Sequence, residues 1–273
     1  MKRCQPILGT FVEITIHDDL SEGDLSASFD QAFKAIHRIH SLMSFHEEES
    51  DLSRMNRLAF IQPMLVDPLT FQVLTLAKDL FIHTDGAFDC SIGHTLQNWG
   101  FLPKSALMYE EYGDLNDLIL LEGYQVSYAK PLCLDLGGLA KGFAVDQAIE
   151  VLKNLKIKSA LVNAGGDLRV LGNKLEDIFI RKPSDPQTLI QLGQLGDGAL
   201  ASSGIYYSKD HSIDQAHSAL VIPKTQESIL EEKSFTVIAP TCVLADGLTK
   251  ALAIHQNIKA NYLEKYNALG VIL

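Results

Sequence analysis

The sequence predicts an α+β fold, in which helices and antiparallel strand meanders share one chain. Three observations predict it. Long helical stripes occupy the N-terminal part, strand-like runs dominate from Ile119 onward, and helical patterns return only after Gly138 and near Val243. Neither a linker nor a low-complexity tract divides residues 1–273, so the chain reads as one domain with ample material for a core.

Phe11 to His17 alternates, with Val12, Ile14 and Ile16 on one face, as a half-buried strand does. Leu25, Phe29, Ala32, Phe33, Ile36, Ile39 and Met43 recur at helical spacing, which leaves His37 and His40 on the flank of that helix rather than in a ligand set. Asp67 reads as an N-cap and Pro68 as the first residue of a helix that stops at Gly86. The runs "VSYAKPLCLDL", "SALVNAGGDLRVLG", "DIFIRKP" and "FTVIAP" read as strands.

Composition excludes several functions. With 23 basic and 34 acidic residues the net charge is −11, and no block of Lys or Arg offers a nucleic-acid or anionic-membrane surface. Cys4, Cys90, Cys133 and Cys242 are far apart, which argues against a zinc site or disulfide framework and for reduced thiols. The start "MKRCQPILGTFVEITIH" turns directly into a strand pattern without an apolar export region, and no window reaches transmembrane length. The expectation is a cytoplasmic protein.

The stretch "LDLGGLAKGFAVDQAIEVL" carries the chemistry. Leu132, Leu134 and Leu136 alternate into a Gly137–Gly138 turn, and Ala144, Ala148, Val151 and Leu155 then form a helical stripe. A helix start after bare backbone favours a phosphate. Neither standard phosphate motif fits, because Lys141 precedes Gly142, Phe143 follows it, and GxGxxG is unmatched. The glycines alone would equally suit tight strand-to-helix packing. "VNAGGDLRV" adds a second Gly pair closed by Asp167, "ASSGIYY" adds Ser203 and Gly204, and "PTCVLADGLTKAL" sets Asp246, Thr249 and Lys250 on one helix face. A carboxylate and hydroxyl so placed suit a hard cation such as Mg²⁺, although the same spacing suits an exposed Asp–Lys pair.

Taken in order, "LGT", "SDLSRMN", "DGAFDCSIGHTLQNWGF", "LDLGGLAKGFAVD", "LVNAGGDLRVLG", "SSGIYY" and "SFTVIAPTCVLADGLTKAL" resemble the ApbE family, the FAD:protein FMN transferases, over nearly the whole chain. The resemblance implies a two-lobed fold with mixed or antiparallel sheets flanked by helices and an FAD cleft between the lobes. It implies transfer of FMN from FAD to a threonine hydroxyl of an acceptor flavoprotein, with release of AMP and with Mg²⁺ on the pyrophosphate. FAD would be lined by Leu8, Ala87, Phe88, Asp89, Asp135, Gly137, Lys141, Ser203 and Gly204, with Asn56 at the rim and His46 where the family has a stacking aromatic. The metal would take the Gly138 carbonyl, Asp246 and groups at the positions of Thr249 and Lys250. Lys141 and a histidine would serve the chemistry.

Two departures mark this chain. The family places a threonine four residues after the metal-binding aspartate, where Lys250 stands here, with Thr249 one residue early. Either Thr249 ligates instead, or Lys250 takes the cation's place beside the pyrophosphate, or the metal is lost. The catalytic histidine segment is distorted too: "AHSALVIPKTQ" offers His217, preferred here because a strand-like run and "PKT" follow it, and His211 competes. A histidine titrating near neutrality could take the acceptor proton. Two further functions share the same motifs, an FAD pyrophosphatase in which water replaces the acceptor, and an FAD-binding protein without turnover.

Overall fold

The structure, a computed structural model, describes residues 1–104, 109–205 and 217–273; His211 lies outside them. Strands β1 (Lys2–Ile7) and β2 (Thr10–Ile16) form a hairpin through a two-residue turn in which Leu8 (φ 60°) and Gly9 (φ 70°) are both left-handed, the geometry that matches strand twist. Helix α1 (Glu22–Met43) follows, started by the Ser21 hydroxyl, which accepts the Asp24 N–H. It buries the expected stripe from Leu25 to Met43 and leaves His37 exposed. Next come α2 (Asp51–Leu58), the short β3 (Met64–Leu65) and α3 (Pro68–His83). Asp67 caps α3 and Pro68 opens it as expected, but the helix ends at His83, before Asp85 (φ 52°) and Gly86 (φ 76°) turn the chain left-handed.

Helix α4 (Gly93–Asn98) leads to a small meander of β4 (Leu118–Leu121) and β5 (Gln125–Tyr128), which pairs with β3. Then follow α5 (Ala140–Asn154), β6 (Ala160–Ala164), β7 (Asp167–Leu171), the hairpin β8 (Glu176–Lys182) and β9 (Asp185–Leu195), and β10 (Gly198–Gly204). The chain closes with β11 (Val221–Ile222), β12 (Glu227–Ser228), β13 (Ser234–Ala239), α6 (Cys242–His255), α7 (Asn261–Lys265) and β14 (Leu269–Ile272). The main sheet has the order β1-β2-β6-β7-β10-β13-β14, antiparallel throughout, so the α+β expectation holds.

Strand alternation divides the sheet's two faces. Val162, Ala164, Ala201, Phe235 and Val237 join the helices in the main core, whereas Leu168, Val170 and Leu200 pack with Ile178, Leu192 and Leu195 of the β8–β9 hairpin. On β7 this alternation sends Asp167 and Arg169 to the helix side, where both meet α5.

One expected strand is not a strand. Leu132, Leu134 and Leu136 are buried, yet residues 131–136 join no sheet. Instead Asn56 on α2 receives the Leu134 N–H at 2.8 Å and donates to its carbonyl at 2.9 Å, replacing a neighbouring strand with one amide. On the other side Asp135 N donates to the Cys90 carbonyl at 2.7 Å, and Gly93 N to the Cys133 carbonyl at 2.9 Å.

Candidate active site

The segment after α3 is held first by Thr84, whose buried hydroxyl donates to the Leu80 carbonyl and accepts the Phe88 N–H at 2.9 Å. It meets the clamped Leu134–Leu136 segment, the α5 N-terminus, the β6–β7 turn, the end of β10 and residues 219–220 around a cleft of about 410 Å³. Phe88, Asp89, Asp135, Gly137, Gly138, Lys141, Ser203, Gly204 and Lys250 all line it. Sequence motifs more than a hundred residues apart thus converge on one wall.

Helix α5 starts at Ala140 without a side-chain cap from its N-cap residue, Leu139. Part of that vacancy is filled by the protein itself, because Asp246 Oδ2 accepts the Gly142 N–H at 3.3 Å. This requires a close helix crossing. A Cβ on Gly142 would lie 2.4 Å from the Cys242 carbonyl oxygen, so only glycine permits α5 and α6 to approach this far. Asp146 secures the crossing: it accepts N–H groups of Cys242 (2.9 Å) and Val243 (2.8 Å) at the start of α6 and pairs with Arg169 at 2.7 Å.

Two ammonium groups straddle Asp246. Lys141 Nζ sits 2.7 Å from Asp167 Oδ2 and 3.5 Å from Asp246 Oδ2. Lys250 Nζ donates to Asp246 Oδ1 and, at 3.0 Å, to its carbonyl oxygen. Burial disfavours every charge here, but the lysines outweigh it at Asp246 and hold its carboxyl below the usual range, while Asp167 and Asp246 raise Lys141. Asp135, which accepts the Gly137 N–H, is raised by burial. Asp89 is pushed up to about 6, chiefly by burial, against the Ser91 N–H that its carboxylate accepts.

The remaining expected residues lie off the cleft surface. Ala87 is buried behind Phe88, and Leu8 sits in the β1–β2 turn, two residues before Thr10, which packs against Gly165 of the cleft. His46 and Asn56 line a separate pocket with Phe45 and Tyr109. His217 stacks on Trp99, ring centroids 4.3 Å apart and planes 7° from parallel, two residues before the cleft-lining Ala219. Thr249 is fully buried; its hydroxyl donates to the Asp246 carbonyl at 2.7 Å and shares a 2.7 Å hydrogen bond with Ser203. Arg181 of β8, which no motif signalled, also lines the cleft.

The donor set does not suit a divalent metal. Lys250 covers the carboxylate and carbonyl of Asp246, and Thr249 points into the protein. Among the described residues no group of three His, Cys, Asp or Glu side chains could hold an ion. Nor, among them, is any helix long and apolar enough to cross a membrane.

A family profile described as the ApbE family matches residues 8–273. An FAD:protein FMN transferase of Haemophilus influenzae is 30% identical over 297 residues, which cover 97% of this chain and 84% of the relative. One from Vibrio cholerae is 27% identical, covering 98% and 85%. Among solved structures, the ApbE protein of Thermotoga maritima superposes with a TM-score of 0.86 over 100% of this chain and 94% of its own, and at 24% identity shares the fold. A mutant form of the flavin transferase ApbE from Vibrio cholerae gives 0.84 at 25% identity over 100% and 92%.

Proposed function

The chain belongs to the ApbE family, and from that membership we propose that it transfers FMN from FAD to a threonine hydroxyl of an acceptor flavoprotein, releasing AMP. The observation that carries this reading is the pair of ammonium groups, Lys141 and Lys250, beside the Gly137–Gly138 turn in a cleft wide enough for part of a dinucleotide. Exposed backbone lets a diphosphate approach, and two cations stabilise the charge that its cleavage develops. Phe88 and Ile92 supply apolar wall for a ring system. Residues 1–273 act here as one transferase domain, supported by a core cluster that runs from Ile7 to Ala268.

In the reaction the threonine oxygen forms a bond to the FMN phosphorus as the bond from that phosphorus to the bridging oxygen breaks. AMP departs with the bridging oxygen, where Lys141 is placed to meet the new charge. His217 is assigned the acceptor's proton, because its segment forms the cleft wall two residues on and its ring is held flat against Trp99. The family's Mg²⁺ would fall on Gly138, Asp246 and Thr249, which do not fit it here, so no step is drawn through a metal. The four cysteines are unpaired, which supports a reducing, cytoplasmic setting.

The test is AMP release, followed by chromatography, from protein given FAD with and without an acceptor domain carrying a flavinylation threonine. Transfer predicts AMP only with acceptor. Equal AMP and FMN without acceptor would mean hydrolysis, and bound FAD with no AMP would mean a binding protein.

A further inference from the structure

We propose that Lys250 is the resident cation of this site, so that Lys141 and Lys250 together seat the FAD diphosphate and no divalent metal takes part. The inference deepens the transferase reading and rests on it for the identity of the ligand.

The geometry supports this on four counts. First, Lys250 bonds to Asp246 twice, through a carboxylate oxygen and the main-chain carbonyl, so it occupies a carboxylate oxygen that a hard cation would take from that residue. The second carboxylate oxygen is shared by the Gly142 N–H and Lys141. Second, the nearest hydroxyl, Thr249, is fully buried and spends its hydrogen bonds on the Asp246 carbonyl and Ser203. Third, Asp167 is already paired with Lys141 at 2.7 Å. Fourth, the Lys250 stem lies against Gly138, where a Cβ would come within 3.1 Å of Lys250 Cε, so the ammonium is braced on the glycine turn that a diphosphate would approach.

An ammonium has three N–H donors, and Asp246 accounts for two of those on Lys250. Among the described residues no further hydrogen bond engages the third, which can meet a phosphate oxygen. A divalent ion could reach Asp246 only by displacing an ammonium ion-paired in a largely buried setting, and would then stand beside two positive charges. Lysine serves phosphate as a point charge without needing the ion. Arg181, on the same cleft, adds a third positive group.

The decisive experiment compares FAD with riboflavin, which lacks the diphosphate and the adenosine joined to it, by flavin fluorescence titration of the intact protein in EDTA and in Mg²⁺. FAD should bind at least about tenfold more tightly than riboflavin in EDTA, and Mg²⁺ should change its affinity by less than about twofold. Lys250→Met should reduce the preference and Lys250→Arg should keep it, which separates charge from packing. Mn²⁺ followed by electron paramagnetic resonance should stay free with the native protein. A tenfold tightening of FAD by Mg²⁺, or stoichiometric Mn²⁺ binding to the native protein, would overturn the proposal, and so would equal affinity for FAD and riboflavin in EDTA. Failure of the transferase reading looks different: FAD binds as described, yet no AMP appears with acceptor.

Discussion

Gly142 donates its N–H to Asp246 at 3.3 Å, and this bond joins the start of α5 to the helix that carries Lys250, beside the Lys141–Asp246 contact at 3.5 Å. Lys141 and Lys250 therefore share a backbone frame, in which the glycine is set by contact with Cys242 and not by its torsions.

Gly142→Ala should break that frame. The added methyl group would meet the Cys242 carbonyl at 2.4 Å and push α5 from α6, costing about 1–3 kcal/mol of stability as overpacking does. Urea unfolding measures the first effect, and a fall in FAD affinity measures the displacement of Lys141 from Asp246. Unchanged values of both would show that the crossing is not constrained.

Asp146→Ala should be more costly. It leaves Arg169, 8% exposed, without its 2.7 Å partner and uncaps the N–H groups of Cys242 and Val243. Removing one side of a buried pair costs about 3–5 kcal/mol. The urea midpoint should drop with little change in slope. Because Asp146 lies away from the cleft surface, the folded fraction should still bind FAD.

How far this site could be read from sequence depended on whether its signal was local. The α1 stripe and the Asp67–Pro68 start of α3 were legible because one-sided burial and capping act within a few residues. Leu132 to Leu136 alternate like a strand, and the chain there is buried, but alternation does not name a partner, and the partner is the Asn56 amide. The glycine pairs pointed to the cleft, whereas the Lys141–Asp167 and Lys250–Asp246 pairings depend on how α5, β7 and α6 pack. Arg181 left no signal because the place of the β8–β9 hairpin over the sheet is set by tertiary contacts, among them the packing of Ile178, Leu192 and Leu195 on Leu168, Val170 and Leu200.

Asp89 should make stability fall with rising pH. Its folded value of about 6 lies above its ordinary 3.8, so folding disfavours the ionised form. Stability is then full below pH 4, declines between 4 and 6, and stays lower above. The gap from 3.8 to about 6 corresponds to at most about 3 kcal/mol. Asp89→Asn should remove this decline, read as urea midpoints at pH 4.5 and 7.5. A decline of the same size in the variant would assign it to another group.

His217→Asn should slow transfer about a hundredfold, the scale of a lost general base, while FAD affinity stays within about twofold because the ring sits on Trp99 outside the cleft lining. A native rate in the variant would free His217 from the chemistry and leave its stacking as its role.

The most direct measurement is the intact mass of an acceptor domain after incubation with this protein and FAD, beside the same domain with its threonine replaced by alanine. The transferase reading predicts an added mass of one FMN less water on the native domain, with one AMP per adduct and no adduct on the alanine form. An unmodified native domain, in the presence of bound FAD and a folded enzyme, would contradict it.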